Sequence, residues 1–150
     1  MEQYEREPYI GILVDMADDD EAPPRRDFFY LDTESIQTSG DYVAVATQMI
    51  AISAGTLTAM ALNDEINARE KTATIEGAIN GTPFRWHMPF KDDYIHEAFF
   101  AGFRTVLANT GSGKIFAGLD LGGQDLLVFC VDDDQIERFR TKLGLTMHAL

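Results

Sequence analysis

The sequence predicts an α+β fold, a mainly antiparallel sheet built from hairpins with helices packed on it. Three observations point there. Period-two alternation flanks Asn80-Gly81 on both sides, and a second pair of apolar runs meets at Gly122-Gly123-Gln124. Between them, apolar residues recur at helical spacing up to Ala108. The expected order is ββ-α-βββ-α-ββ-α, in one domain over residues 1–150, a length at which a single core needs no staples.

Tyr9-Ile10-Gly11-Ile12-Leu13-Val14 is a β-branched run of strand length. Five acids and Pro23-Pro24 then end any ladder, so Asp15–Pro24 reads as a solvated loop. Phe28–Leu31 is a second strand, expected to pair with the first. Ser39-Gly40-Asp41 offers an N-cap for a helix through Ile52, with Gly55 placed to end it. Tyr42, Val45, Ala46, Met49, Ile52 and Ser53 share one face of that helix, although its β-branched residues leave a strand open over 41–54. Thr56–Leu62 reads as a strand and Asn63–Lys71 as a charged connection.

Asn80-Gly81 suits a type I′ turn, whose two central residues both need positive φ. Ala73, Ile75, Gly77 and Ile79 alternate with Thr72, Thr74, Glu76 and Ala78, and Phe84, Trp86 and Met88 alternate with Arg85 and His87. Asp92 or Asp93 is placed to cap a helix to Ala108 that turns Ile95, Ala98, Phe99, Gly102, Phe103, Val106 and Leu107 inward. Lys114–Leu121 and Asp125–Val131 form the second hairpin. Asp132-Asp133-Asp134 then caps a last helix that buries Ile136, Phe139 and Leu143 and stops at Gly144.

Charge narrows the function classes. The chain carries 25 acidic and 12 basic side chains, a net charge of −13. Residues 1–40 hold 11 of the acids and 3 of the bases. Binding to phosphate backbones needs clustered Lys and Arg, and adsorption to anionic membranes needs the same, so both are excluded. The acidic N-terminus has no apolar segment of the secretory kind. Tyr42–Asn63 carries no charge, but its polar residues and Gly55 make it a buried helix followed by a strand rather than a span. The single cysteine, Cys130, excludes an internal disulfide, and its apolar strand suits a buried, inert thiol.

No motif for catalysis survives inspection. Thr110-Gly111-Ser112-Gly113-Lys114-Ile115 lacks the first Gly and the final Ser or Thr of a phosphate loop, and it leads from a helix into a strand. Asp15 to Glu21 lacks the ligand spacing and central Gly of a calcium loop. His87, His96 and His148 are dispersed, and no nucleophile elbow or His-Glu-x-x-His accompanies them. No catalytic residue, metal or cofactor is therefore expected.

What remains is an acidic binder, because opposed fields speed encounter with a cationic partner by roughly 10–10³-fold. The expected contact residues are the loop carboxylates Asp15, Asp18, Asp19, Asp20 and Glu21. Outward aromatics from Phe28 and Tyr30 join them, with Arg85 and His87 from the wet face of the hairpin.

In size, acidity, the Asn80-Gly81 hairpin with Phe84 and Trp86, the helix Tyr94–Ala108 and the ending Gly122-Gly123-Gln124-Asp125-Leu126-Leu127-Val128-Phe129, the chain resembles the small acidic immunity proteins of bacterial antagonistic toxin systems. The likeness covers mainly residues 70–144. It implies a cytoplasmic protein that binds a cognate toxin, here a basic one, and occludes its active site, with no residue role carried over by position. Monomer and homodimer both remain open. An alternative comes from the order α–βββ–α–ββ–α after residue 41, which is similar to that of class I type III secretion chaperones. That likeness implies a dimer wrapping an extended effector segment, although the first 40 residues depart from it. A third reading is a small hydrolase or ligand-binding domain using Glu76, Arg85 and His87.

Overall fold

A computed structural model of the chain describes residues 27–150. The run Tyr9–Val14 and the acidic loop after it lie outside the described residues, as does the expected pairing between Tyr9–Val14 and Phe28–Leu31. The described chain runs β1 (Phe28–Asp32), α1 (Asp41–Ile52), β2 (Ala59–Asn67), β3 (Thr72–Ile79), β4 (Thr82–Pro89) and α2 (Glu97–Ala108). It continues through β5 (Ile115–Asp120), β6 (Asp125–Val131), α3 (Asp133–Arg138) with a wider helical turn over Phe139–Leu143, and β7 (His148–Ala149). The fold is α+β, and 41–54 is a helix followed by a turn. The strands divide between two antiparallel sheets, ordered β1-β6-β5-β7 and β2-β3-β4, instead of joining in one.

Period-two geometry explains the four-stranded sheet. Leu127, Phe129 and Val131 point to one face of β6 and Leu126, Val128 and Cys130 to the other. Both faces are covered, so the strand reads as a continuous apolar run. On one side Phe29, Leu31, Phe116 and Val128 join a core with α1, α2 and the inner face of β2–β4. On the other, Phe28, Leu119, Leu127 and Phe129 pack with Leu145 and Met147, and Ile136, Phe139 and Leu143 cover them from the last helix.

The β3–β4 hairpin forms where the alternation places it. Asn80 and Gly81 adopt φ of 51° and 78°, as a type I′ turn requires. Trp86 reaches α2 and lies edge-on to Phe103, with ring centroids 5.3 Å apart. It does so because Gly102 has no side chain: a Cβ there would sit 2.5 Å from the indole.

Two boundaries differ from expectation, each for a local reason. The strand expected over Thr56–Leu62 runs Ala59–Asn67, taking in most of the supposed connection. A bulge between Met60 and Asn63, with Ala61 at φ 55°, breaks its alternation. Helix α2 starts at Glu97, because Asp92 and Asp93 both adopt left-handed φ and form a turn; the cap is His96, whose Nδ1 accepts from the Ala98 N–H at 3.0 Å. Helix α1 is capped from across the fold, since Gly40 at its N-cap has no side chain. Asp64 on β2 supplies the acceptors instead, at 2.5 Å from the Gly40 N–H and 3.1 Å from that of Val43. The last helix keeps its expected start, with Asp132 and Gln135 forming a reciprocal capping box, and Gly144 at φ 68° ends it.

Candidate functional site

Three segments far apart in sequence meet at one end of the four-stranded sheet. The Thr33 N–H and hydroxyl both donate to the Gln124 carbonyl, at 3.1 and 2.7 Å, tying the end of β1 to the β5–β6 turn. The Ile36 N–H donates to the Asp93 carbonyl at 2.9 Å and the Ile95 N–H to that of Thr33 at 2.8 Å, which brings in residues 91–95. Together these segments carry Asp32, Glu34, Asp92, Asp93, Asp120 and Asp125 against one base, Lys91.

The rim is a field rather than a chelate. Asp32 stands opposite Asp125 in the β1–β6 register, a like-charged pair that a sheet tolerates only at its wet margin. Among the described residues, no group of three or more His, Cys, Asp and Glu is arranged to hold a metal ion. Asp120 approaches the imidazole of His148 at 3.9 Å. Three arginines elsewhere are engaged by the chain's own carboxylates, Arg85 by Glu76, Arg104 by Glu97 and Arg140 by Glu137. Tyr94, on the same segment as Asp92 and Asp93, is 46 % exposed, one of two large apolar side chains left open among the described residues. Exposed Tyr side chains are enriched at protein interfaces.

The residues expected to contact a partner fall in different places. Asp15, Asp18, Asp19, Asp20 and Glu21 lie outside the described residues. Phe28 is a correction: it is 3 % exposed and stacks on Phe129 at 5.4 Å, so it is core and offers a partner nothing. Tyr30 shares its face of β1 and is half-buried against the same cluster. Arg85 and His87 are exposed on the outer face of the β2–β3–β4 sheet. There Arg85 approaches Glu76 at 3.7 Å, and the Nδ1 of His87 shares a hydrogen bond with the Thr74 hydroxyl at 3.0 Å. A shallow depression of about 600 Å³ on this face takes in Glu76 and Arg85 but not His87. The structure thus brings Arg85 and His87 together and sets them on a different sheet from Phe28 and Tyr30.

The rim and Tyr94 were missed from sequence, because their segments are dozens of residues apart and only the topology joins them. Two groups, the buried Tyr42 and the half-buried Cys130, resist ionisation. Burial pushes the Cys130 thiol up, opposed more weakly by Lys114, and burial likewise raises Tyr42, whose hydroxyl accepts the His96 N–H at 3.1 Å. Among the described residues no helix is long and apolar enough to cross a membrane. No protein-family model, curated protein or solved structure matches this chain.

Proposed function

We propose that this chain is an acidic binding protein that neutralises a basic protein toxin by covering its active cleft. The observation that carries this reading is the rim: six carboxylates on three segments that hydrogen bonds hold together, with Tyr94 exposed on one of them. Opposed charge draws the partner in, and the aromatic ring supplies the desolvated anchor that charge alone lacks. Residues 1–26 add a further 8 acids against 3 bases to the chain's negative charge.

The test is co-expression with the product of the neighbouring gene. The reading expects relief of that protein's toxicity and a complex whose association slows steeply between low and physiological salt. Asn or Gln at Asp32, Glu34, Asp93 and Asp125 should lower the association rate severalfold, and Tyr94→Ala should raise the dissociation rate. The same replacements at Asp18, Asp19, Asp20 and Glu21 separate the loop's part from the rim's. Absence of a complex, or one with salt-independent association, overturns the proposal.

One observation favours the chaperone reading as a second: after Thr33 the elements follow α–βββ–α–ββ–α, with a two-residue strand added at the end. A stable homodimer in light scattering that binds an unfolded segment would support it over toxin neutralisation.

A further inference from the structure

A half-open cleft of about 480 Å³ lies between the tip of the β3–β4 hairpin and the C-terminal end of α2, away from the rim. Its volume falls within the roughly 300–1,000 Å³ of small-molecule sites. Ile79, Phe84 and Val106 form an apolar wall, and Thr56, Thr82 and Asn109 supply hydroxyl and amide groups around it. No charged side chain lines it, in a chain of net charge −13. Asn80 also borders the cleft, but its amide is committed to the turn, accepting from the Thr58 N–H at 2.8 Å and donating to the Thr56 carbonyl at 3.2 Å.

Two features select the ligand's chemistry. The C-terminal end of a helix carries partial negative charge, and the last turn of α2 holds no basic residue to offset it. Donors are favoured there and anions are repelled. Phe84 presents a ring backed by Trp86, with centroids 4.5 Å apart, which suits a flat aromatic body. We propose that this cleft binds a small, flat, uncharged ring bearing N–H donors, with its face on Phe84 and its donors on the Asn109 amide and the threonine hydroxyls. The site is independent of the toxin reading.

Trp86 is the only tryptophan in the chain, so its emission reports on Phe84 directly. Benzamide, methyl benzoate and benzoate share a ring and differ in donor and charge. Titrated into the full chain, benzamide should change Trp86 emission saturably, while methyl benzoate binds about tenfold more weakly for want of the donor and benzoate more weakly still. Asn109→Leu, at an exposed helix end, should weaken benzamide about tenfold with an unchanged circular dichroism spectrum. Thr82→Phe, on the exposed hairpin, should block it and stands in if the first variant misfolds. Equal binding of benzamide and either ester or carboxylate, or no saturable change with benzamide, would overturn the proposal.

Discussion

The carboxylate of Asp64, on a strand, accepts the first free N–H of helix α1 from Gly40 at 2.5 Å. Its second oxygen takes the Val43 N–H at 3.1 Å, so one side chain joins the three-stranded sheet to the helix beside it. Ser39 repeats the link in the other direction, its hydroxyl accepting from the Ile66 N–H at 2.9 Å. Asp64 is buried, and its removal leaves two part-buried helical donors without their acceptors. Asp64→Ala should therefore cost about 2–3 kcal/mol. Asp64→Asn should cost less, because one acceptor survives while its amide opposes the other donor. Urea denaturation of both variants checks the order; an alanine variant as stable as the native chain would show that the cap is idle.

Gly102 illustrates a different dependence. Glycine within a helix costs about 0.5–1 kcal/mol relative to alanine, so Gly102→Ala would stabilise α2 if nothing stood above it. The indole of Trp86 stands there, 2.5 Å from where the methyl would be. Trp86 is wedged between Phe84 and Phe103, so it has little room to give. Overpacking of this kind costs about 1–3 kcal/mol. The net result should be destabilisation, with a shift in Trp86 emission. A more stable variant with unchanged emission would mean that the indole relocates freely.

Cys130 links burial to pH. In the unfolded chain an ordinary thiol loses its proton at about pH 8.5, whereas burial holds the proton on in the folded chain. Above that pH the folded state binds more protons than the unfolded one, so stability falls as pH rises toward the raised value. The effect is absent below the ordinary thiol range. Denaturation midpoints at neutral and alkaline pH should differ less in Cys130→Ala than in the native chain, because other groups titrate equally in both. The same alkaline loss in both proteins would refute this assignment.

Legibility in the sequence followed the number of faces an element buries and how local its contacts are. Asn80-Gly81 announced its turn because both residues tolerate positive φ, and Leu126–Val131 announced a strand because both faces are covered. Strand β2 was hidden by Asn63-Asp64-Glu65, which reads as solvated connection until Asp64 is seen turned inward to cap α1. Asp92 and Asp93 looked like caps for α2, but they form a left-handed turn and leave the task to His96. The rim was illegible for another reason. Asp32, Asp93 and Asp125 each sit beside an ordinary turn, and only hydrogen bonds between Thr33, Ile36, Ile95 and their distant partners bring them together.

The edge of β4 is protected by position. In a two-residue hairpin the pair flanking the turn is hydrogen-bonded, here Ile79 and Thr82. Counting by twos, Phe84, Trp86 and Met88 direct their backbone groups to β3, and Pro83, Arg85, His87 and Pro89 direct theirs to the open side. Two of those four outward positions are prolines, which have no N–H to offer a neighbouring strand. The other two carry exposed cationic or titratable side chains. β4 is an edge strand of its sheet among the described residues, so these prolines remove half the donors an incoming strand would need. The double variant Pro83→Thr, Pro89→Thr restores them without touching the inner face. It should retain its fold by circular dichroism and associate with itself at concentrations where the native chain does not, as read by sedimentation. Should it sediment identically to the native chain, the prolines would not be what keeps this edge closed.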